Sequence, residues 1–228
     1  MSKTLTLILI PLLGFSIHSN SQTIQLVDST AVVEKAKYIG GDLIKTIAEK
    51  VRYPIEAMQA GISGDVVFSF TITTSGKMTN TELVSSPDKL LTVSSLFALS
   101  GVKGDWSPYR LNSVPMDQKY LMVFTYRIYM NGPPPDNRNQ IKRNLEKKKY
   151  EQALKLYNME IKDKSYDYKL FESRSKVKEL MGDIDGSKID LRKSQKLKAE
   201  VMEVIYITGG MTVRRQEIGP STTIQRRY

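Results

Sequence analysis

Residues 65–85 constrain the fold most, because their pattern predicts two strands joined by a tight turn. Apolar and polar residues alternate along 65–73, and the residues on the apolar face are Val66, Phe68, Phe70 and Ile72. A period of two with one apolar face predicts a half-buried strand. Thr74-Ser75-Gly76-Lys77 predicts the turn, since Gly76 can adopt a positive φ. Residues 78–85 return as a second strand and complete a β-hairpin.

Helices on both sides of this hairpin and a long third strand extend the pattern. Asp42 is placed to cap a helix that begins at Leu43, and residues 54–60 predict a second short helix. Ser86-Pro87-Asp88 begins a helix that runs to about residue 102, and its expected inward residues are Leu91, Leu96 and Leu99. The third strand, 119–129, has one apolar face made of Tyr120, Met122, Phe124, Tyr126 and Ile128.

This order of elements resembles the C-terminal domain of the TonB family. The matching motifs are Gly40-Gly41 before a helix, Tyr53-Pro54-x-x-Ala57, Gly61-Ile62-x-Gly64-x-Val66, Phe68-x-Phe70, Gly76-Lys77, Val84-x-Ser86, Trp106-x-Pro108 and the closing apolar strand. The resemblance covers roughly 38–129, and we expect a domain over 38–130. It implies an α+β fold of helices, a β-hairpin, a further helix and a third antiparallel strand.

Composition excludes several classes of chemistry. The chain has 228 residues, no cysteine and one histidine, His18. Because the chain has no cysteine, disulfides and thiol chemistry are excluded. Histidine-based triads are excluded for any form of the protein that lacks His18. Asp183-x-Asp185-Gly186 lacks the closing Glu of a calcium loop, so a turn between helices explains it better. We predict no catalytic residues, no metal site and no cofactor.

The charge is uneven along the chain. Residues 22–136 are neutral, whereas 137–200 carry 18 Lys and Arg against 11 Asp and Glu. Such a surface suits an acidic partner, anionic lipid or nucleic acid, and a solvated helical surface is the simplest interpretation. We predict no nucleic-acid partner, because an exported protein rarely meets one.

The N-terminal residues predict export. Lys3 precedes an apolar run over 5–17 that Pro11 and Gly14 interrupt, and small residues follow at Ser19 and Ser21. This pattern is typical of a cleaved signal peptide over 1–21. The alternative is an uncleaved segment that anchors the protein to the inner membrane. The expected location is therefore the periplasm.

A Pro-rich linker over 131–136 separates the first domain from a helical region over 137–200. Within that region Tyr150 and Ile184, and likewise Tyr157 and Leu191, are 34 residues apart. This period, with Gly182-Asp183 as a turn, resembles the tetratricopeptide repeat. The pattern predicts an all-α region of helical hairpins with about one and a half to two repeats. So short a stack must pack on the first domain, on the tail or on another chain.

Residues 201–228 form a basic tail with one β-like run over 201–208. Three alternatives stay open for it: disorder, which we favour beyond Gly209, a strand added to the sheet, or a contact segment for a partner.

The family resemblance implies a non-enzymatic docking module. An extended segment of an outer-membrane TonB-dependent transporter would add as a strand beside the last strand of the domain. The residues implied for partner binding are Tyr53, Pro54, Leu121, Val123, Phe124 and Thr125. We expect the outer edge of strand 119–129 to be unpaired, and therefore open to a partner or to a second copy in a homodimer.

Two departures from the family pattern bear on energy transduction. Met58 is apolar where the family commonly has a polar residue. The family's anchored members carry an uncleaved membrane helix and a long proline-rich spacer before the domain, and we expect neither here. A chain without an anchor could not receive force from an inner-membrane motor by itself. The alternative function is a tetratricopeptide scaffold of an envelope assembly, in which the TonB-like domain is structural.

Overall fold

The structure, a computed structural model, describes residues 32–129 and 135–209, and the backbone of 212–215. In chain order the elements of the first part are β1 (Val33–Glu34), β2 (Lys37–Tyr38), α1 (Leu43–Ala48), α2 (Ile55–Gln59), β3 (Gly64–Ile72), β4 (Met78–Ser85), α3 (Lys89–Leu99), β5 (Trp106–Ser107), β6 (Tyr109–Leu111), β7 (Val114–Met116) and β8 (Gln118–Arg127). The second part contains α4 (Arg138–Glu146), α5 (Tyr150–Asp163), α6 (Tyr168–Leu180), α7 (Ile184–Glu200), β9 (Val201–Thr208) and β10 (Thr212–Arg215). The predicted signal peptide, most of the linker and residues 216–228 lie outside the described ranges.

A five-stranded sheet in the order β10-β9-β8-β3-β4 forms the centre of the fold. The predicted hairpin is confirmed, with Ile72 opposite Met78 across the turn at Gly76. The predicted third strand is also confirmed, because β8 pairs antiparallel with β3 from Gln118 to Tyr126. Two small sheets, β1-β6-β7 and β2-β5, accompany it.

One face of the sheet is covered by α1, α2 and α3. Asp42 and Asp88 cap α1 and α3 by accepting hydrogen bonds from main-chain N–H groups, and the first of these caps was predicted. Side chains of the three helices pack on the apolar faces of β3 and β8; they are Ile47, Ala57, Leu91, Ala98 and Leu99. The prediction that Leu96 faces inward is wrong, since about half of its side chain is exposed.

The other face of the sheet is covered as well, by helices of the second half of the chain. Val67 and Val123 on the sheet pack with Phe171 of α6 and Leu197 of α7 in a second core. The prediction that strand 65–73 is half-buried is therefore wrong, because both of its faces are enclosed. Of the three partners proposed for the short helical stack, the structure shows two, the first domain and the tail, since Val201 and Val204 belong to the same core.

Strand β9 joins the sheet beside β8 and runs parallel to it. Parallel neighbours need a long crossover, and helices α4–α7 provide one. Of the alternatives for the tail, a strand added to the sheet is the one that the structure shows for 201–208. The expectation of disorder beyond Gly209 is wrong for Thr212–Arg215, which pair antiparallel with β9.

The helical region consists of four helices, α4–α7, and a buried charge cluster links two of them. Arg174 of α6 donates from Nε and Nη2 to the carboxylate of Asp190 on α7 at 2.7 and 2.6 Å, and Lys178 Nζ lies 3.0 Å from the same group. The tetratricopeptide nature of the region stays a prediction. None of the helices in the described ranges is both long and apolar enough to cross a membrane.

Candidate functional site

The candidate site is the side of the sheet formed by β8, β9 and β10. The expectation of an unpaired outer edge on β8 is wrong, because β9 occupies it. Each strand residue implied for partner binding faces a residue of β9: the pairs are Leu121 with Val201, Val123 with Val204, Phe124 with Ile205, and Thr125 with Tyr206. The main chain that was expected to receive a partner therefore receives a segment of the same chain.

Burial holds β9 in place from both sides. Ile205 and Ile207 lie in the core under α1–α3, whereas Val201 and Val204 lie in the core under the second set of helices. Burying a large aliphatic side chain stabilises by roughly 1.5–3 kcal/mol, so these four together contribute roughly 6–12 kcal/mol. That sum is comparable with the whole stability of a typical domain, about 5–15 kcal/mol. Strand β9 therefore belongs to the stable fold.

Lys35 contacts Val201, the first residue of β9. Its Nζ donates to the main-chain carbonyl of Val201 at 3.3 Å. Burial lowers the pKa of Lys35, the nearby charge of Lys198 lowers it further, and Glu203 opposes both effects. A lysine held in this way fixes the point where the chain leaves α7 and enters the sheet.

Tyr53 and Pro54 occupy a different place from the four strand residues. The Tyr53 ring is buried edge-on to Tyr126, with 5.2 Å between ring centroids, and its hydroxyl donates to the carbonyl of Ile62. Burial raises the pKa of Tyr53. Pro54 is the N-cap residue of α2. The six residues thus do not share one exposed surface, and their role in partner binding stays a prediction.

A charged cluster that sequence reasoning missed lies where β8 meets the helical region. The Arg127 guanidinium lies 2.9 Å from Asp65 Oδ1, and its Nη2 donates to the main-chain carbonyl of Asp163 at 2.9 Å. The Tyr129 hydroxyl donates to the Asp163 carboxylate at 3.0 Å, and Ser165 donates to Asp65 at 2.9 Å. The sequence contains one indication of this cluster, because Arg127 is a lone charge at the end of an apolar strand.

Burial also sets the acidity of the tyrosines around this cluster. Burial raises the pKa of Tyr206, and the nearby carboxylates of Asp167, Asp163 and Asp65 raise it further. Burial likewise raises the pKa of Tyr166, again with a contribution from Asp65. Both phenols therefore stay neutral over the physiological range. Among the described residues no cluster of three or more His, Cys, Asp and Glu side chains is placed to hold a metal ion.

Comparison with known proteins gives a family match and matches among solved structures. Residues 49–128, less than half of the chain, match the family model described as the Gram-negative bacterial TonB protein C-terminal. The matched interval runs from the end of α1 through β8. The NMR solution structure of the Helicobacter pylori TonB carboxy-terminal domain matches with 24% sequence identity over 39% of this chain and 79% of that chain, at a TM-score of 0.30. No curated protein matches the chain.

Proposed function

We propose that this chain is a non-enzymatic protein-interaction module of the TonB type, which acts in the periplasm and docks an extended segment of a partner by strand addition. The observation that carries this proposal is the family match over 49–128, which includes the hairpin, α3 and β8. The partner class that the resemblance implies is an outer-membrane transporter or another envelope protein. Strand addition takes its affinity from main-chain hydrogen bonds.

The proposed docking side is that of β9 and β10. A partner segment can reach the main chain of Leu121, Val123, Phe124 and Thr125 only after β9 leaves, and the burial of β9 opposes this. Strand β10 is four residues long and pairs only with Ile205–Thr208. Replacing β10 by a partner segment therefore costs far less free energy than replacing β9. We therefore place docking at the outer edge of β9, one strand beyond the predicted edge.

The opposite edge of the sheet suits strand addition less well. The pairing of β4 with β3 is interrupted between Val67 and Phe68 and again between Ser69 and Thr71. Asn80 on β4 also has a positive φ of 51°. Such irregularities twist an edge strand and are a known defence against pairing with another chain. This asymmetry supports docking at the β9–β10 side.

The alternative function is a tetratricopeptide scaffold of an envelope assembly. It is favoured by the excess of basic residues over 137–200, which covers helices α4–α7. In that case the TonB-like domain is structural, consistent with the buried positions of Tyr53 and Phe124. Lys176, exposed on α6, is a suitable probe of that surface.

In-cell photo-crosslinking from three positions separates the two functions. One probe replaces Val213 on β10, a second replaces Lys176 on α6, and a third replaces Thr81, an exposed residue of β4 that serves as the matched control. We expect crosslinks from position 213 to an extended segment of an outer-membrane protein, and none from position 81. A discrete partner at position 176 alone would favour the scaffold. Silence at both 213 and 176 would contradict both functions.

Periplasmic location follows from the same proposal and is tested separately. We expect the mature protein to begin after residue 21, as the predicted signal peptide requires. N-terminal sequencing of protein recovered from the periplasmic fraction checks this expectation. A chain that retains residue 1 and sediments with inner membranes would support the anchored alternative.

A further inference from the structure

Helix α3 carries large apolar residues on its exposed side as well as on its covered side. Its inward residues are Leu91, Ser95, Ala98 and Leu99. Its outward residues are Leu90, Val93, Leu96 and Phe97, which are 40, 58, 48 and 60% exposed. Lys89 is the only charged residue of the helix. Four large apolar side chains that are adjacent and exposed form a patch, so this outward face indicates a contact surface.

The spacing of the outward residues is that of a helix–helix seam. Leu90, Val93 and Phe97 follow one another at intervals of three and four, which places them on one stripe. The two ends of the stripe, Leu90 and Phe97, are equally distant from a point between residues 93 and 94. When two such helices pack antiparallel about that point, Leu90 of one lies against Phe97 of the partner subunit, and the two Val93 residues lie beside the two-fold axis, about 1.5 Å apart along the pair.

The distribution of charge favours a second copy over a membrane surface. The layer that contains α1–α3 is neutral, with five basic and five acidic residues over 42–60 and 88–105. The basic excess belongs to α4–α7, and α6 and α7 contribute to the core on the opposite face of the sheet. An anionic membrane would therefore attract the helical side of the molecule. Two copies that meet through α3 keep their basic layers on the outside, where they repel each other least.

We propose that the outward face of α3 is the contact between two copies of this chain, packed as an antiparallel, two-fold symmetric helix pair. Two short helices bury less than the roughly 1,200 Å² of a standard stable interface. The dimer is therefore weak and depends on concentration. This contact is distinct from strand addition and leaves the β9–β10 side of the sheet accessible.

Single-cysteine variants test the contact directly, because the chain contains no cysteine. Val93→Cys is expected to form a disulfide-linked dimer under mild oxidation, whereas Ile189→Cys, at an exposed position on α7, is the matched control and is expected to stay monomeric. Leu90→Cys alone is also expected to stay monomeric, since the two copies of residue 90 are displaced by about 10 Å along the pair. Mixing Leu90→Cys with Phe97→Cys is expected to restore the crosslink.

Sedimentation velocity over a range of concentrations provides the second readout. The mass of the unmodified chain is expected to rise from that of one copy towards that of two, and Val93→Glu is expected to abolish the rise while Ile189→Glu leaves it intact. Equal crosslinking of Val93→Cys and Ile189→Cys, together with a monomer at every concentration, would overturn the proposal. A monomer that binds neutral phosphatidylcholine vesicles through Val93 would overturn it as well and would assign the face to lipid.

Discussion

Arg127, the last residue of β8, holds Asp163, the last residue of α5, through both the carboxylate and the main chain. Its Nε lies 3.4 Å from Asp163 Oδ1, and its Nη2 donates to the Asp163 carbonyl at 2.9 Å. A cation at this position also satisfies one of the carbonyls that a helix leaves unpaired at its C-terminus. The contact links the matched segment 49–128 to the helical region that follows it.

Replacing Arg127 by alanine is expected to destabilise the protein by roughly 3 kcal/mol, because it leaves two partly buried carboxylates without their cation. Arg138→Ala is the matched control. Arg138 pairs with Asp136 at 2.7 Å, but both side chains are largely exposed, so its loss is expected to cost at most about 1 kcal/mol. Urea denaturation of both variants measures the difference. Equal losses of free energy would contradict a structural role for the Arg127 contact.

Gly76 packs against the backbone of Trp106, and alanine at this position is expected to be strongly destabilising. The carbonyl of Gly76 accepts a hydrogen bond from Trp106 N–H at 2.9 Å, and a Cβ on residue 76 would collide with the Trp106 carbonyl oxygen. Its φ of 74° adds strain for any other residue. Gly61→Ala shares the positive φ, 69°, but its Cβ meets nothing.

We therefore expect Gly61→Ala to cost about 1 kcal/mol, the strain alone, and Gly76→Ala to cost at least about 2 kcal/mol more. Thermal denaturation of the two variants checks this ranking. If both variants melt together, the close approach of Gly76 to Trp106 does not occur in solution.

The buried pair of Arg174 and Asp190 predicts a pH dependence. Burial by itself would raise the pKa of Asp190, but the hydrogen bonds and charges of Arg174 and Lys178 outweigh it and lower the pKa below 3.8. Because folding lowers this pKa, the ionised carboxylate stabilises the folded state above about pH 4. The contribution is lost as the pH falls through the folded-state value.

Asp190→Asn is expected to cost roughly 3–5 kcal/mol at pH 7, since it leaves Arg174 and Lys178 without their anion. The cost is expected to shrink when denaturation is repeated below pH 4. Asp185→Asn, at an exposed position on the same helix, provides the matched control and should change little. A cost for Asp190→Asn that stays constant from pH 7 to pH 3 would argue against the ion pair.

Two truncations separate the roles of β9 and β10. Ending the chain after Glu200 removes β9 with its buried side chains, and a loss of roughly 6–12 kcal/mol is expected to abolish cooperative folding. Ending it after Gly209 removes β10 and keeps β9, and it is expected to cost only a few kcal/mol, about 1 for each lost hydrogen bond. Circular dichroism melts of both chains measure this. Cooperative melting of the shorter chain near the temperature of the full chain would contradict the structural role of β9.

Local periodicity predicted the elements that a single stretch of sequence determines. The alternation of Val66, Phe68 and Phe70, the turn at Gly76 and the cap at Asp42 were sufficient for β3, the hairpin and α1. Leu96 was assigned inward wrongly, because α3 has apolar residues on both its inward and its outward side and their spacing does not show which side is buried. The strand alone could not predict that Val67 is buried either, because the side chains that pack on it belong to α6 and α7, more than 100 residues later.

The candidate site depended on pairing between distant segments, which sequence patterns do not specify. The run over 201–208 was recognised as β-like, but its place beside Phe124 follows from the path of four intervening helices. Arg127 and Asp163 lie 36 residues apart and come together for the same reason. Four of the residues implied by the family resemblance, Leu121, Val123, Phe124 and Thr125, therefore lie on the expected strand, and β9 of the same chain pairs with the edge they were expected to offer.

Hydrogen–deuterium exchange of the β9 amides tests most directly whether β9 is a permanent strand of the sheet. If it is, its amides exchange as slowly as those of β3, on the timescale of global unfolding, and they keep this protection when a partner segment binds. Exchange of β9 within minutes while β3 stays protected would contradict this result. It would mean that β9 opens as a unit and that a partner can dock directly on Leu121, Val123, Phe124 and Thr125.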